Sequence, residues 1–258
     1  MNPIFLAGGG SLVLLLATLA MIETGRRFGK RRFQEEGEIA GRGFSAVEGA
    51  IFGLLGLVLA FSFSGALVRF DARRQLVVQE VNDIGTAWLR LDLLPAEAQS
   101  PLRDLFRRYL DARIEAYASV PDATALREAL GRSAAWQKEI WQRAVAATRG
   151  APTGPSQVLL LPALNAMFDT ATSQQEAARL HPPGVIFLML GALILACALF
   201  AGYDMGNRPN LNLLHSIAFA VVLSVTVYVI VDLEYPRLGF IRMSDSDAAL
   251  VALRAGME

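Results

Sequence analysis

Four uncharged apolar stretches punctuate the chain. Pro3–Ile22 and Gly49–Val68 each run twenty residues without a charge, and Gly184–Ala201 runs eighteen. Leu213–Val231 is the fourth. About 20 apolar residues in a helix cross the ~30 Å hydrocarbon core of a bilayer, so each stretch predicts a membrane span. A cleaved signal peptide competes for the first stretch. No basic residue precedes its apolar core and a basic cluster follows it, which favours a retained helix.

The second stretch changes character without a break. Beyond Val68, the residues Arg69, Asp71, Arg73 and Arg74 mark water, and the apolar positions become Phe70, Val77, Val81, Ile84, Trp88 and Leu91. After the first step of seven these alternate threes and fours, a heptad seam. Apart from Gly85, no breaker intervenes before Pro95. The pattern predicts one long helix that leaves the membrane and becomes the first helix of a water-exposed bundle.

Three more bundle helices follow. Pro101 fits the first turn of one, with Leu102, Phe106, Tyr109, Arg113 and Tyr117 on a shared face. Pro121-Asp122 reads as a stop and an N-cap. The next helix carries a thinner stripe at Leu126, Leu130, Ala134, Gln137, Trp141 and Val145. Arg149–Ser156 is a Gly/Pro-rich loop, and a further helix is expected over Gln157–Leu180 despite Pro162. His181-Pro182-Pro183 breaks it at the membrane edge. Tyr203 marks the far interface of the third span, and Asp204–Asn210 makes a tight turn into the fourth. Ser244–Ala255 predicts a short amphipathic helix.

The expected class is all-α: four transmembrane helices with a helical bundle inserted between spans two and three. The expected divisions are 1–68, 69–180, 184–231 and a tail over 232–258. Composition agrees, with 53% hydrophobic residues. The 24 basic and 24 acidic residues argue against nucleic-acid binding, which calls for a basic excess. One cysteine, Cys197, excludes an intrachain disulfide, and two histidines (His181 and His215) leave little for a metal centre. With no nucleophile–base, Walker or dinucleotide pattern, neither enzyme activity nor a cofactor is expected.

Arg26, Arg27, Lys30, Arg31, Arg32 and Arg42 crowd the connector between the first two spans. By the positive-inside rule that connector faces the cytoplasm. An inner-membrane protein with both termini and the bundle outside is therefore expected.

Gly49, Gly53, Gly56, Ala60 and Ser64 recur at steps of four, three, four and four along the second span. Small residues so placed permit close helix approach. They predict either a tight contact with the first span, or a subunit contact or pathway lining. Arg69, Arg73 and Arg74 would raise the local anion concentration if ringed in an oligomer, or anchor to headgroups. Asp232 and Glu234 follow the fourth span and could gate, bind cations, pair with Arg237 or lie solvated. Glu48 suits the first turn of its helix.

Several separated motifs then agree in order: Glu48–Gly56, Phe61–Ala66, Arg69–Arg74, Glu80–Ala87 and Asp232–Gly239. Together they resemble the bacterial membrane-protein family called bestrophin-like, over nearly the whole chain. The resemblance implies a pentameric anion channel with an apolar neck from the second span, for which Phe52, Phe61, Phe63 and Phe70 are candidates. It also implies cytosolic termini, the reverse of the charge pattern, and the charge pattern sets the orientation expected here. The leading expectation is a homo-oligomeric ion channel, favouring anions, with Phe61 in its neck. The alternative is a non-conducting sensor or scaffold whose outer bundle binds a ligand or a partner protein.

Overall fold

The computed structural model describes residues 3–36, 45–120, 122–149, 154–206 and 213–257. The expected features at Arg42, Pro121, Gly150–Thr153 and Asn207–Asn210 lie outside the described residues. Eight α-helices account for nearly all of the described chain: α1 (Pro3–Glu36), α2 (Ser45–Arg90), α3 (Ala96–Ala118), α4 (Ala123–Thr148), α5 (Pro155–Arg179), α6 (Gly184–Met205), α7 (Leu213–Glu234) and α8 (Ser244–Ala255). The protein is all-α. Four of its helical stretches are long and apolar enough to cross a membrane.

The helices divide into two compact units. The first comprises residues up to Val68 together with His181–Tyr235. Its core is Leu55, Leu190, Ile194, Cys197 and Leu223, with Phe52 set edge-on to Phe219 at 6.3 Å between ring centroids. Cys197 is fully buried and acts here as a small apolar side chain.

α1 does not stop at Ile22. It runs fourteen residues further, to Glu36, so most of the basic cluster is helical. Long charged side chains are good helix formers, and Glu23 accepts hydrogen bonds from Arg26 and Arg27 within its own turn. The extension is also gripped by α6. A methyl group added at Gly25 would overlap the Leu199 carbonyl oxygen, and one at Gly29 would overlap that of Tyr203. From the other side, Gly202 abuts the Ile22 carbonyl and Gly206 the backbone at Lys30. Two glycine pairs at four-residue spacing thus bring two backbones into direct contact, the packing mode that serves best in lipid.

The second unit comprises Arg69–Leu180 and Pro236–Glu258. Its core gathers Val77, Ile84, Trp88 and Leu91 from α2 and the turn after it, and Leu102, Phe106 and Tyr109 from α3. Ile140 comes from α4, Leu160, Leu164 and Met167 from α5, and Leu250 from α8. Pro95 ends the turn Leu91–Leu93 and opens α3. Asp122 caps α4, accepting from the Thr124 and Ala125 N–H groups at 2.8 and 3.2 Å.

The buried stripe of α4 differs from the expected one. Ala129, Ser133, Ile140, Ala144 and Thr148 are buried, while Ala134 is exposed. Three of these five side chains are small, so α4 lies close to its neighbours and its larger residues sit at the flanks. A reading that follows bulk along the helix lands about one position off.

Candidate functional site

α2 belongs to both units, and its exposed positions are as regular as its buried ones. Val47, Ala50, Leu54, Leu57, Phe61, Ser64, Val68, Asp71, Gln75, Val78, Asn82 and Leu89 are all exposed. They recur at steps of three and four, broken only at the half-buried Gly85. Such a row is a second heptad seam, distinct from the one facing the bundle core. Its first seven residues are apolar or small, and polar residues appear from Asp71 onward.

The small-residue face flanks this seam. At Gly49, Gly53 and Gly56 an added methyl group would meet nothing within 4 Å, and Ala60 and Ser64 are exposed. A tight contact with α1 is therefore not what these residues make. That contact belongs to Gly25 and Gly29 of α1, against α6.

The four phenylalanines part company. Phe52 packs on Phe219, and Phe70 is buried. Phe61 and Phe63 point outward, at 69% and 40% exposure. Phe61 lies on the seam itself.

The three arginines also diverge. Arg73 is buried, and its guanidinium donates to the Ala177 carbonyl at 3.0 Å and the Leu180 carbonyl at 2.8 Å. It caps the C-terminus of α5, where last-turn carbonyls lack helical partners, and so leaves the solvent-facing set. Arg69 is half-buried. Arg74 is about half exposed, 3.7 Å from Asp71, with its guanidinium 5.9 Å from the Phe70 ring centre.

Asp232 and Glu234, at the end of α7, are buried rather than solvated, at 3% and 1% exposure. The Tyr228 hydroxyl lies 3.5 Å from Asp232. Glu234 lies 3.7 Å from Nδ1 of His181, whose ring stacks on Tyr235 at 4.6 Å. Arg237 pairs instead with Asp247 at 2.8 Å.

A polar cluster that pattern reading missed sits inside the bundle. Glu80 of α2 accepts two hydrogen bonds from Arg113 of α3, at 2.5 and 3.1 Å, and a third from the Tyr117 hydroxyl. Gln174 of α5 accepts from Arg113 at 3.3 Å, and Arg237 lies 4.1 Å over the Tyr117 ring. Burial opposes the Arg113 charge, but the adjoining Glu80 carboxylate holds its pKa above the ordinary arginine range. Burial and the same carboxylate push the Tyr117 hydroxyl well up, so it stays a neutral donor. The only hint in the sequence was an arginine on an otherwise apolar face of α3.

Among the described residues no group of three or more His, Cys, Asp or Glu could hold a metal ion.

The family model for the Bestrophin-like domain matches residues 12–248. The chain belongs to the bestrophin-like family. It is a multi-pass membrane protein, consistent with its four apolar helices. Among solved structures it is similar to point variants of a bacterial bestrophin homologue from Klebsiella pneumoniae. One superposes with a TM-score of 0.69 at 15% identity, covering 96% of this chain and 98% of that one. Another gives 0.67 at 14%, covering 95% and 98%. A third match, described only as a membrane protein, gives 0.57 at 15%, covering 95% and 98%. At such identities the likeness shows the shared fold. No curated protein matches the chain.

Proposed function

We propose that this bestrophin-like protein is a homo-oligomeric ion channel whose pathway is lined by α2. The observation that carries the reading is the exposed seam from Val47 to Leu89, which no other helix covers among the described residues. Copies of α2 arranged in parallel about a common axis would turn that seam inward, the geometry of a closed cyclic assembly. The open glycine face beside it would let neighbouring copies approach closely. Leu54, Leu57 and Phe61 would then form an apolar constriction of the kind that gates by dewetting, with the polar positions from Asp71 onward forming a wetted mouth. Solved relatives named as bestrophin homologues support the same reading. A non-conducting sensor or scaffold has no comparable observation in its favour.

The anion preference expected from the arginines has less support than the pore itself. Arg73 is committed to α5, and Arg69 is half-buried. Arg74 alone of the three is well exposed, and it lies beside Asp71.

The basic residues from Arg26 to Arg32 support an orientation with the α1–α2 connector in the cytoplasm. Both termini and the bundle then lie outside, in a bacterial inner membrane.

Cysteine cross-linking tests the assembly. In a Cys197→Ser background, Phe61→Cys and Leu57→Cys should give cross-linked oligomers in native membranes, and Phe52→Cys should not. Equal cross-linking at all three, or none at the seam, would contradict the proposal.

A further inference from the structure

We infer that Arg27 and Arg31, flanked by Phe28 and Lys30, form a site on α1 for the phosphate of an anionic phospholipid headgroup. The site would exist whether or not α2 lines a pathway. The stretch of α1 fit to cross a membrane is Gly8–Glu35, 28 residues. At 1.5 Å per residue it is about 42 Å long, against ~30 Å of hydrocarbon. Its excess length therefore lies in the headgroup layer. Arg27 stands about 7.5 Å beyond Ile22 along the axis, and Arg31 about 13.5 Å. Helical side chains tilt toward the N-terminus, so both arginines lean back toward the bilayer. The hydrogen bond from Arg27 to Glu23, at 2.7 Å, runs in that direction.

One face of this extension is sealed. Gly25 and Gly29 meet the α6 backbone, and the Phe33 ring lies 5.9 Å from that of Tyr203. At 3.6 residues per turn, Arg27 and Arg31 fall roughly opposite that contact. Val13, Leu16 and Ala20 share their side of the helix and are exposed, so the outward stripe of the span runs straight into the two arginines. Phe28 and Lys30, also exposed, stand on either side, roughly 80° away. Arg26 and Arg32 are turned further aside, roughly 120°, and Arg26 is held by two hydrogen bonds to Glu23.

The chemistry suits a phosphate at the edge of a bilayer. Side chains four apart on a helix are neighbours, with Cβ atoms about 5–6 Å apart, so both guanidiniums reach one group. Their paired N–H donors match phosphate oxygens. Arg27 gives one N–H to Glu23, but 74% of its side chain stays exposed and its other donors remain available. Phe28, 59% exposed, is poorly placed in water and well placed among headgroups and upper acyl chains. The glycine contacts with α6 hold the helix in place, so little is lost in ordering it around a ligand. Nearest the bilayer, Arg26, Arg27, Lys30, Arg31 and Arg32 face only Glu23, because Glu35 and Glu36 come later. Juxtamembrane basic segments of this kind attract anionic lipid. Setting the orientation of the chain would need the charges alone, not the exposed aromatic or the clamped helix.

Native mass spectrometry of the full-length protein in detergent, titrated with phosphatidylglycerol or phosphatidylcholine of matched chains, tests the site. The wild type should bind phosphatidylglycerol about tenfold or more tightly. Arg27→Gln with Arg31→Gln should remove most of that preference, about fivefold for each charge lost. Arg27→Lys with Arg31→Lys should weaken it less, and Arg143→Gln, on the half-exposed surface of α4, should leave it unchanged. Binding in detergent does not depend on the direction of insertion, and helicity with unchanged elution verifies the fold of each variant. Millimolar inorganic phosphate should fail to displace the lipid. Displacement would make this a general anion site and overturn the lipid assignment. Equal binding of the two lipids, a preference untouched by the glutamine pair, or equal loss in Arg143→Gln would also overturn it. None of these outcomes bears on whether α2 lines a pathway.

Discussion

Glu80 and Arg113 meet by two hydrogen bonds in the interior of the bundle, and neither side chain has any exposed surface. Two charges removed from water this completely are stable only together. The pair fixes the register of α2 against α3, and Tyr117 and Gln174 extend its hold within α3 and to α5.

Removing one partner should therefore cost far more than removing both. Glu80→Ala should lower stability by about 3–5 kcal/mol, because Arg113 is left as an uncompensated buried charge. Glu80→Leu combined with Arg113→Met should recover most of that loss. Thermal unfolding in detergent, followed by circular dichroism, measures both. Additive losses in the double variant would contradict this account.

Glycines of two kinds should respond differently. Gly202→Ala forces a methyl group into the Ile22 carbonyl, and overpacking of this sort costs about 1–3 kcal/mol. The folded yield of the isolated chain should fall. Gly53→Ala meets open space within the chain, so the fold should persist while the assembly weakens. Size-exclusion chromatography with light scattering separates the two outcomes.

Arg73 and Arg74 are neighbours with different work. Arg73→Gln removes bonds to the Ala177 and Leu180 carbonyls and should destabilise by about 1–3 kcal/mol. Arg74→Gln loses a half-exposed contact with Asp71 and should cost less than about 1 kcal/mol. Chemical denaturation of the two variants beside the wild type checks the order.

The start of α4 should be sensitive to acid. The Thr124 and Ala125 N–H groups hold the Asp122 carboxylate below its ordinary pKa of 3.8. A depressed folded-state pKa means that the stabilisation is present above 3.8 and is lost as pH falls through the lower folded-state value. The stability difference between wild type and Asp122→Ala should then shrink across that window. A difference constant with pH would contradict the capping role.

Orientation is open to direct test. In a Cys197→Ser background, a cysteine at the exposed Ala135 on α4 should react with a membrane-impermeant maleimide on intact cells. Labelling only after lysis would place the bundle in the cytoplasm and reverse the assignment made from the basic cluster.

The architecture was legible wherever periodicity carried it. The uncharged stretches marked four membrane-crossing helices, and the heptad from Phe70 to Leu91 showed α2 running on into the bundle, because burial imposes spacing directly. Where small residues rather than bulky ones make the contact, the signal weakened. Ala129, Ser133 and Ala144 hid the core face of α4. The Gly25/Gly29 and Gly202/Gly206 pairs carry the four-residue spacing typical of close helix contacts, but Gly49 and Gly53 of α2 share that spacing and face open space within the chain, so spacing alone does not distinguish the packed pairs. Partners distant in sequence left no local trace. Arg73 reads like Arg69 and Arg74 until α5 returns more than a hundred residues later. Glu80 reads as a surface acid until Arg113 is set against it.

Single-channel recording from purified protein in planar bilayers tests the central claim most directly, with Phe61→Ala and Phe52→Ala alongside. If α2 lines the pathway, the wild type shows unitary current steps. Phe61→Ala changes their amplitude, and Phe52→Ala, which alters packing against Phe219, does not. Silence at all voltages from folded, inserted protein, or steps indifferent to Phe61, would contradict it.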